Sequence, residues 1–200
     1  MINRYKKRIV DTLLNRKLEG IEAVLIEGPK WCGKTTYAEQ KAKSVVDMND
    51  PKKSSMYMQL AKMSPQTLLE GESPKLIDEW QLAPSLWDTI RFEVDHREGE
   101  GFFILTGSAV PAKTDDIWHT GTGRFARIKM RTMSLWESED STGIISLGAL
   151  FNGSAQTAIT DEKSLEDMAF LVCRGGWPKA TIQKKEAALE RVFDYYDAVV

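Results

Sequence analysis

The residues of this chain best suited to holding a phosphate lie together in Gly28-Pro29-Lys30-Trp31-Cys32-Gly33-Lys34-Thr35-Thr36. The stretch fits G-x-x-x-x-G-K-[ST], a backbone cradle for a phosphate chain. Gly28 and Gly33 remove the Cβ clashes that would stop several N–H groups converging on one oxyanion. Lys34 supplies a point charge for the β- and γ-phosphates, and the Thr35 hydroxyl suits Mg²⁺. The whole span from Gly28 to Thr36 is the expected cradle, with Pro29, Lys30, Trp31 and Cys32 serving through their backbone. Cys32 also stands by a helix start between two lysines, a setting that activates thiols. Alkylation blocked by bound ATP is the sharp expectation there, and an inert packed thiol is the bland one.

A second signal is Leu76-Ile77-Asp78-Glu79-Trp80-Gln81, a short apolar strand ending in adjacent acids. One acid is needed to hold Mg²⁺ opposite Thr35, and that role falls to Asp78. Glu79 points to the other side of the strand and can take a proton from an attacking water. Trp80 reads as packing, and Gln81 as a surface amide or an orienter of water. A third signal is Phe102-Phe103-Ile104-Leu105, a buried strand closing on Thr106-Gly107-Ser108. Thr106 or Ser108 could sense the γ-phosphate or position water, with a simple turn as the alternative. Arg124, at the start of a further strand, could offset transition-state charge in its own site or a neighbouring subunit's.

These groups need elements to carry them. Ala23 to Ile26 is an apolar, β-branched run of strand length, and the residues after Gly33 read as a helix. Strands also read at Ser44–Met48, before Asp78, at Phe102–Leu105 and at Arg124–Met130. Helical patterns fall at Arg4–Leu18, Lys52–Lys62, after Pro65, and at Leu82–His96. The alternation predicts an α/β fold, a three-layer sandwich on a mostly parallel five-stranded sheet. Ligands of such sheets lie beyond the carboxyl ends of the strands, where the loop, the acids and Thr106 all fall.

Composition excludes several classes. The 200 residues carry 27 Lys+Arg against 29 Asp+Glu, a net charge of −2, so the chain as a whole is no basic nucleic-acid binder. Apolar residues make up 42%, enough for a real core. No run approaches the ~20 apolar residues of a membrane span, and no signal-peptide core follows the basic start. Cys32 and Cys173 make no disulfide framework, and His96 and His119 lack partners at metal-ligand spacing. A cytoplasmic protein with reduced thiols is expected, with no membrane partner.

The character changes after Met133-Ser134-Leu135-Trp136-Glu137-Ser138. A polar linker at Asn152–Thr160 leads to helical patterns at Asp161–Val172 and Gln183–Val200, broken at Arg174-Gly175-Gly176-Trp177-Pro178. Residues 1–152 are therefore expected to form the core and 153–200 a small helical region. A helix ending on bare Val199-Val200 suggests that more chain follows, as the start of a lid or C-terminal domain, or that a partner meets it.

Together Tyr5…Arg8, the loop, Leu76 to Gln81, Leu105 to Ser108, Gly123-Arg124, Met133 to Ser138 and Gly175 to Pro178 resemble the bacterial and archaeal AAA-type ATP-binding proteins of unconfirmed role. The resemblance implies a P-loop ATPase with a strand inserted between the first strand and the acidic one. It implies a catalytic glutamate after the metal-binding aspartate. It also implies a longer protein with an uncharacterised, nuclease-like C-terminal domain. A further expectation from the basic amino-terminal segment puts Tyr5 or Arg8 near the nucleotide base.

The expected activity is Mg²⁺-dependent ATP binding with slow hydrolysis that moves the attached C-terminal region. The rivals are a nucleotide-controlled binding module without turnover and, further off, a small-molecule kinase. Besides the nucleotide, the sequence leaves open a second copy of the chain and a DNA or protein partner of the C-terminal region.

Overall fold

The computed structural model describes residues 5–107, 121–158 and 162–199. Three strands are buried nearly throughout because neighbours cover both their faces. They are β1 (Ala23–Glu27), β3 (Lys75–Asp78) and β4 (Phe103–Gly107), and only Glu27 among their residues is less than buried. Such continuous runs mark the inside of a parallel sheet. The outer strands β2 (Ser44–Asp47) and β5 (Phe125–Lys129) bury fewer residues. The order is β2-β3-β4-β1-β5 and every pairing is parallel. This is the expected α/β fold, with β4 inserted between β1 and β3.

Helices fill the connections: α1 (Asp11–Leu18), α2 (Lys34–Glu39), α3 (Ser54–Met63), α4 (Pro65–Leu69) and α5 (Ser85–Asp95). The core forms where α5 turns Leu86, Trp87, Ile90 and Val94 onto Ile77, Phe103 and Leu105. Burying each large side chain contributes roughly 1.5–3 kcal/mol. Trp87 stacks on Phe125 with ring centres 4.1 Å apart and lies 5.0 Å from Trp80. Trp80 is thus a packing residue. Helix α1 is shorter than the Arg4–Leu18 pattern suggests. Arg8, just before it, makes a buried ion pair with Glu137 at 2.9 Å.

That pair bears on domain organisation. The chain forms two compact units: Ile9–Arg131, and the amino-terminal segment through Arg8 together with Thr132 onward. The division falls at Arg131, earlier than the expected residue 152. The segment after β5 bonds within the second unit. Arg8 reaches Glu137, Met133 N–H donates to the Gly176 carbonyl at 2.7 Å, and Arg174 pairs with Asp140 at 2.8 Å. Gly176 is required there, because a Cβ would overlap the Met133 carbonyl. The unit also contains α6 (Leu147–Phe151), α7 (Leu165–Arg174) and α8 (Lys185–Val199). Among the described residues, no helix is long and apolar enough to cross a membrane.

Candidate functional site

The loop leaves β1 after Glu27 and enters α2 at Lys34. Two of its residues are left-handed, Trp31 (φ 66°) and Gly33 (φ 98°). Gly33 thus needs to be glycine for its backbone angle. Gly28 needs it for a different reason from the expected curl. Its φ is not in the left-handed range, but a Cβ there would strike the Met130 carbonyl just past β5. Pro29, Lys30, Trp31 and Thr36 are exposed. Cys32 is fully buried, so its thiol is sealed rather than open to reagents. The expected ATP-protected reactivity does not fit this position.

Lys34 is buried and donates from Nζ to the carbonyls of Gly28 and Pro29, both at 3.0 Å. The cation rests on the acceptors of its own loop, where a phosphate oxygen could compete for it. The next residue faces β3. Thr35 Oγ1 donates to the Asp78 carboxylate, 3.0 Å from Oδ1 and 2.9 Å from Oδ2. The Thr106 hydroxyl bonds to Asp78 Oδ1 from the other side. Register explains this meeting, since Asp78 on β3 is level with Thr106 on β4, which is level with Ile26 on β1.

Asp78 is therefore a buried carboxylate held by two hydroxyls, and hydrogen bonds to a charged acceptor are the strong kind. Thr35 and Asp78 are hard oxygen donors already in contact, a set that suits a divalent cation. Thr106 is 0% exposed and faces Asp78. Its geometry is that of a support for the aspartate, rather than of a group open to a γ-phosphate. Ser108, the other candidate, lies outside the described residues.

Glu79 follows Asp78 in a left-handed conformation (φ 54°, ψ 42°). A non-glycine residue held so costs about 1–3 kcal/mol and persists only where its surroundings impose it. It ends β3 and begins the 3-10 turn Trp80–Leu82, and Gln81 Nε2 donates to its Oε2. The sequence signals this contact only by a glutamine two residues beyond the second acid.

Arg124 is not brought to the loop. It precedes β5, whose first residue is level with Ala23, whereas the loop departs beyond the level of Lys129. Five steps of ~3.3 Å each, from Arg124 to Lys129, put about 16 Å of strand between them. The guanidinium pairs with Asp95, which holds that carboxyl below its ordinary value and raises Arg124 in turn. Strand direction puts Arg124 at the amino end of β5, the end away from the loop. Arg8 pairs with Glu137 at 2.9 Å within its own unit.

Comparison with known proteins agrees with this architecture. The model of the AAA domain family matches residues 21–139, more than half of the chain. No curated protein matches it. Among solved structures it is similar to the Walker-type ATPase PABY2304 of Pyrococcus abyssi. The TM-score is 0.56 at 13% identity, over 98% of this chain and 73% of that one. C. elegans PCH-2 reaches a TM-score of 0.33 at 16% identity, over 78% of this chain and 48% of that one. With β4 between the loop strand and the acidic strand and the family match across both, the chain belongs to the AAA domain family.

Proposed function

We propose that the chain binds Mg·ATP between the loop and the Asp78–Glu79 corner and hydrolyses it slowly. One observation carries the reading: the ends of β3 and β4 and the start of α2 join Thr35, Asp78 and Thr106 in one hydrogen-bonded cluster, with Lys34 next to Thr35 and Glu79 next to Asp78 in the chain. Thr35 and Asp78 would hold Mg²⁺, which when bound offsets charge on the phosphates. Thr106 keeps the Asp78 carboxylate facing Thr35. Lys34 exchanges its carbonyl partners for phosphate oxygen, and the loop amides donate to the same group.

Glu79 then accepts a proton from water. As it does so the water oxygen bonds to the γ-phosphorus, and the bond from that phosphorus to the bridging oxygen breaks. ADP and phosphate are the products. Two observations support a coupling to the later chain: a Cβ at Gly28 would overlap the Met130 carbonyl, and Met130 N–H donates to the Glu27 carbonyl at 2.7 Å. A shift of the loop would therefore be felt one residue before Arg131, where the unit ends. We place the second unit, rather than the segment after residue 152 alone, as what the cycle moves.

Titration calorimetry with Mg·ATP and single-turnover hydrolysis by the purified chain test this reading. Lys34→Ala is expected to abolish binding. Glu79→Gln is expected to keep binding and lose roughly 10²–10⁴-fold in rate, the usual range for a general base. Binding without any turnover by the unaltered chain would favour the non-hydrolysing module. Full turnover by Glu79→Gln would remove Glu79 as base.

A further inference from the structure

A general base is useful only if its carboxylate is held where the water will be, and Glu79 sits on a turn rather than in the strand. Gln81 is the described side chain that bonds to it, through Nε2 to Oε2. The amide can face only one way, since turning Oε1 toward the carboxylate would set two acceptors against each other. Oε1 therefore points away, is buried, and has no hydrogen-bond partner among the described residues. Behind it stands Gly107, the last residue of β4, next to Thr106. A Cβ at Gly107 would lie 2.5 Å from Gln81 Oε1 and 3.1 Å from Trp80 Nε1. The absence of a side chain at Gly107 is what leaves space for the amide.

We infer that Gln81 is a positioning residue that sets the place of the Glu79 carboxylate, and that Gly107 makes room for it. The catalytic consequence rests on the ATPase reading above, whereas the placement itself does not. A buried acceptor left unsatisfied is tolerated because the same amide holds a charged group, and hydrogen bonds to charge outweigh neutral ones. Gly107 need not be glycine for its backbone angle, as it lacks a positive φ. Its role is spatial, so Gly107→Ala should displace Gln81 without straining the chain.

The experiment uses the full chain in two arms. In the first, kcat and KM for ATP are measured for Gln81→Ala and Gly107→Ala. Each is expected to lower kcat roughly 10- to 100-fold, as misplacing a catalytic group does, with KM held within about twofold. In the Glu79→Gln background, Gln81→Ala should cost nothing further. A kcat unchanged by Gln81→Ala, or the same loss on top of Glu79→Gln, overturns the inference.

The second arm needs no activity. With ¹⁵N-labelled glutamine and no nucleotide, the Gln81 side-chain amide should exchange slowly with solvent. Glu79→Ala should move its resonance to an ordinary position. A Gln81 amide indifferent to Glu79→Ala overturns the placement. If the unaltered chain turns over no ATP, the ATPase reading fails, and this arm alone decides the placement.

Discussion

Replacing Thr106 by valine separates a support for Asp78 from a sensor of phosphate. Valine has nearly the shape of threonine, so the change opens little cavity in a site that is 0% exposed. What is lost is one hydroxyl bond to a buried carboxylate that keeps its two contacts from Thr35. Hydrogen bonds to charged groups contribute about 1.5–3 kcal/mol, and the remaining Thr35 bonds put the expected loss at about 1.5–2 kcal/mol. For a chain of this size that lowers the Tm by about 3–8 °C.

The assay is thermal unfolding of the nucleotide-free protein, followed by circular dichroism, with Asp78→Asn and the double variant completing a cycle. Because the two side chains are bonded, their effects should fall short of additive by about 1 kcal/mol or more. A nucleotide-free Tm unmoved by Thr106→Val, with turnover alone impaired, would refute the support role and return Thr106 to the part of a sensor. Full additivity with Asp78→Asn would refute the bond itself.

Two further outcomes follow from the geometry. Asp167 caps α7 with Ser164 and pairs with Lys185 at 3.0 Å, and these bonds, Lys185 first, hold its carboxyl at about 2. Its folded value lies below the unfolded one of about 3.9. The cap's contribution is therefore complete above about pH 4 and lost as pH falls through about 2. A carbon-detected titration of Asp167 should show this low midpoint, and Lys185→Ala should raise it; a midpoint near 4 in the unaltered chain would contradict the pairing. Cys32 is fully buried and Cys173 exposed, so a thiol reagent should label one site per folded chain, at Cys173, with or without nucleotide. Labelling of Cys32 that ATP suppresses would show instead that the loop opens.

Much of the sheet was legible because a parallel sheet buries both faces of its inner strands. Ala23–Ile26 and Phe103–Leu105 are apolar without interruption, and such runs announce themselves locally. The phosphate loop was legible for a related reason: a strand, a backbone cradle and a helix are consecutive in the chain. Strand direction was legible too, and it sets Arg124 at the amino end of β5, away from the loop. The boundary at Arg131 was not, because it rests on pairs such as Arg8 with Glu137, 129 residues apart.

The sequence by itself determined that a phosphate cradle, an acidic corner and a hydroxyl would stand at the carboxyl ends of a parallel sheet. Local periodicity settles which segments are strands, and strand polarity settles which end each residue occupies. Only the tertiary structure decided what each side chain faces. Thr106 turns to Asp78 because β3 and β4 lie in that register, and Gln81 meets Glu79 because one residue takes a left-handed turn. Register and a single backbone angle leave no mark in composition or spacing, since they arise from the packing of segments far apart in the chain.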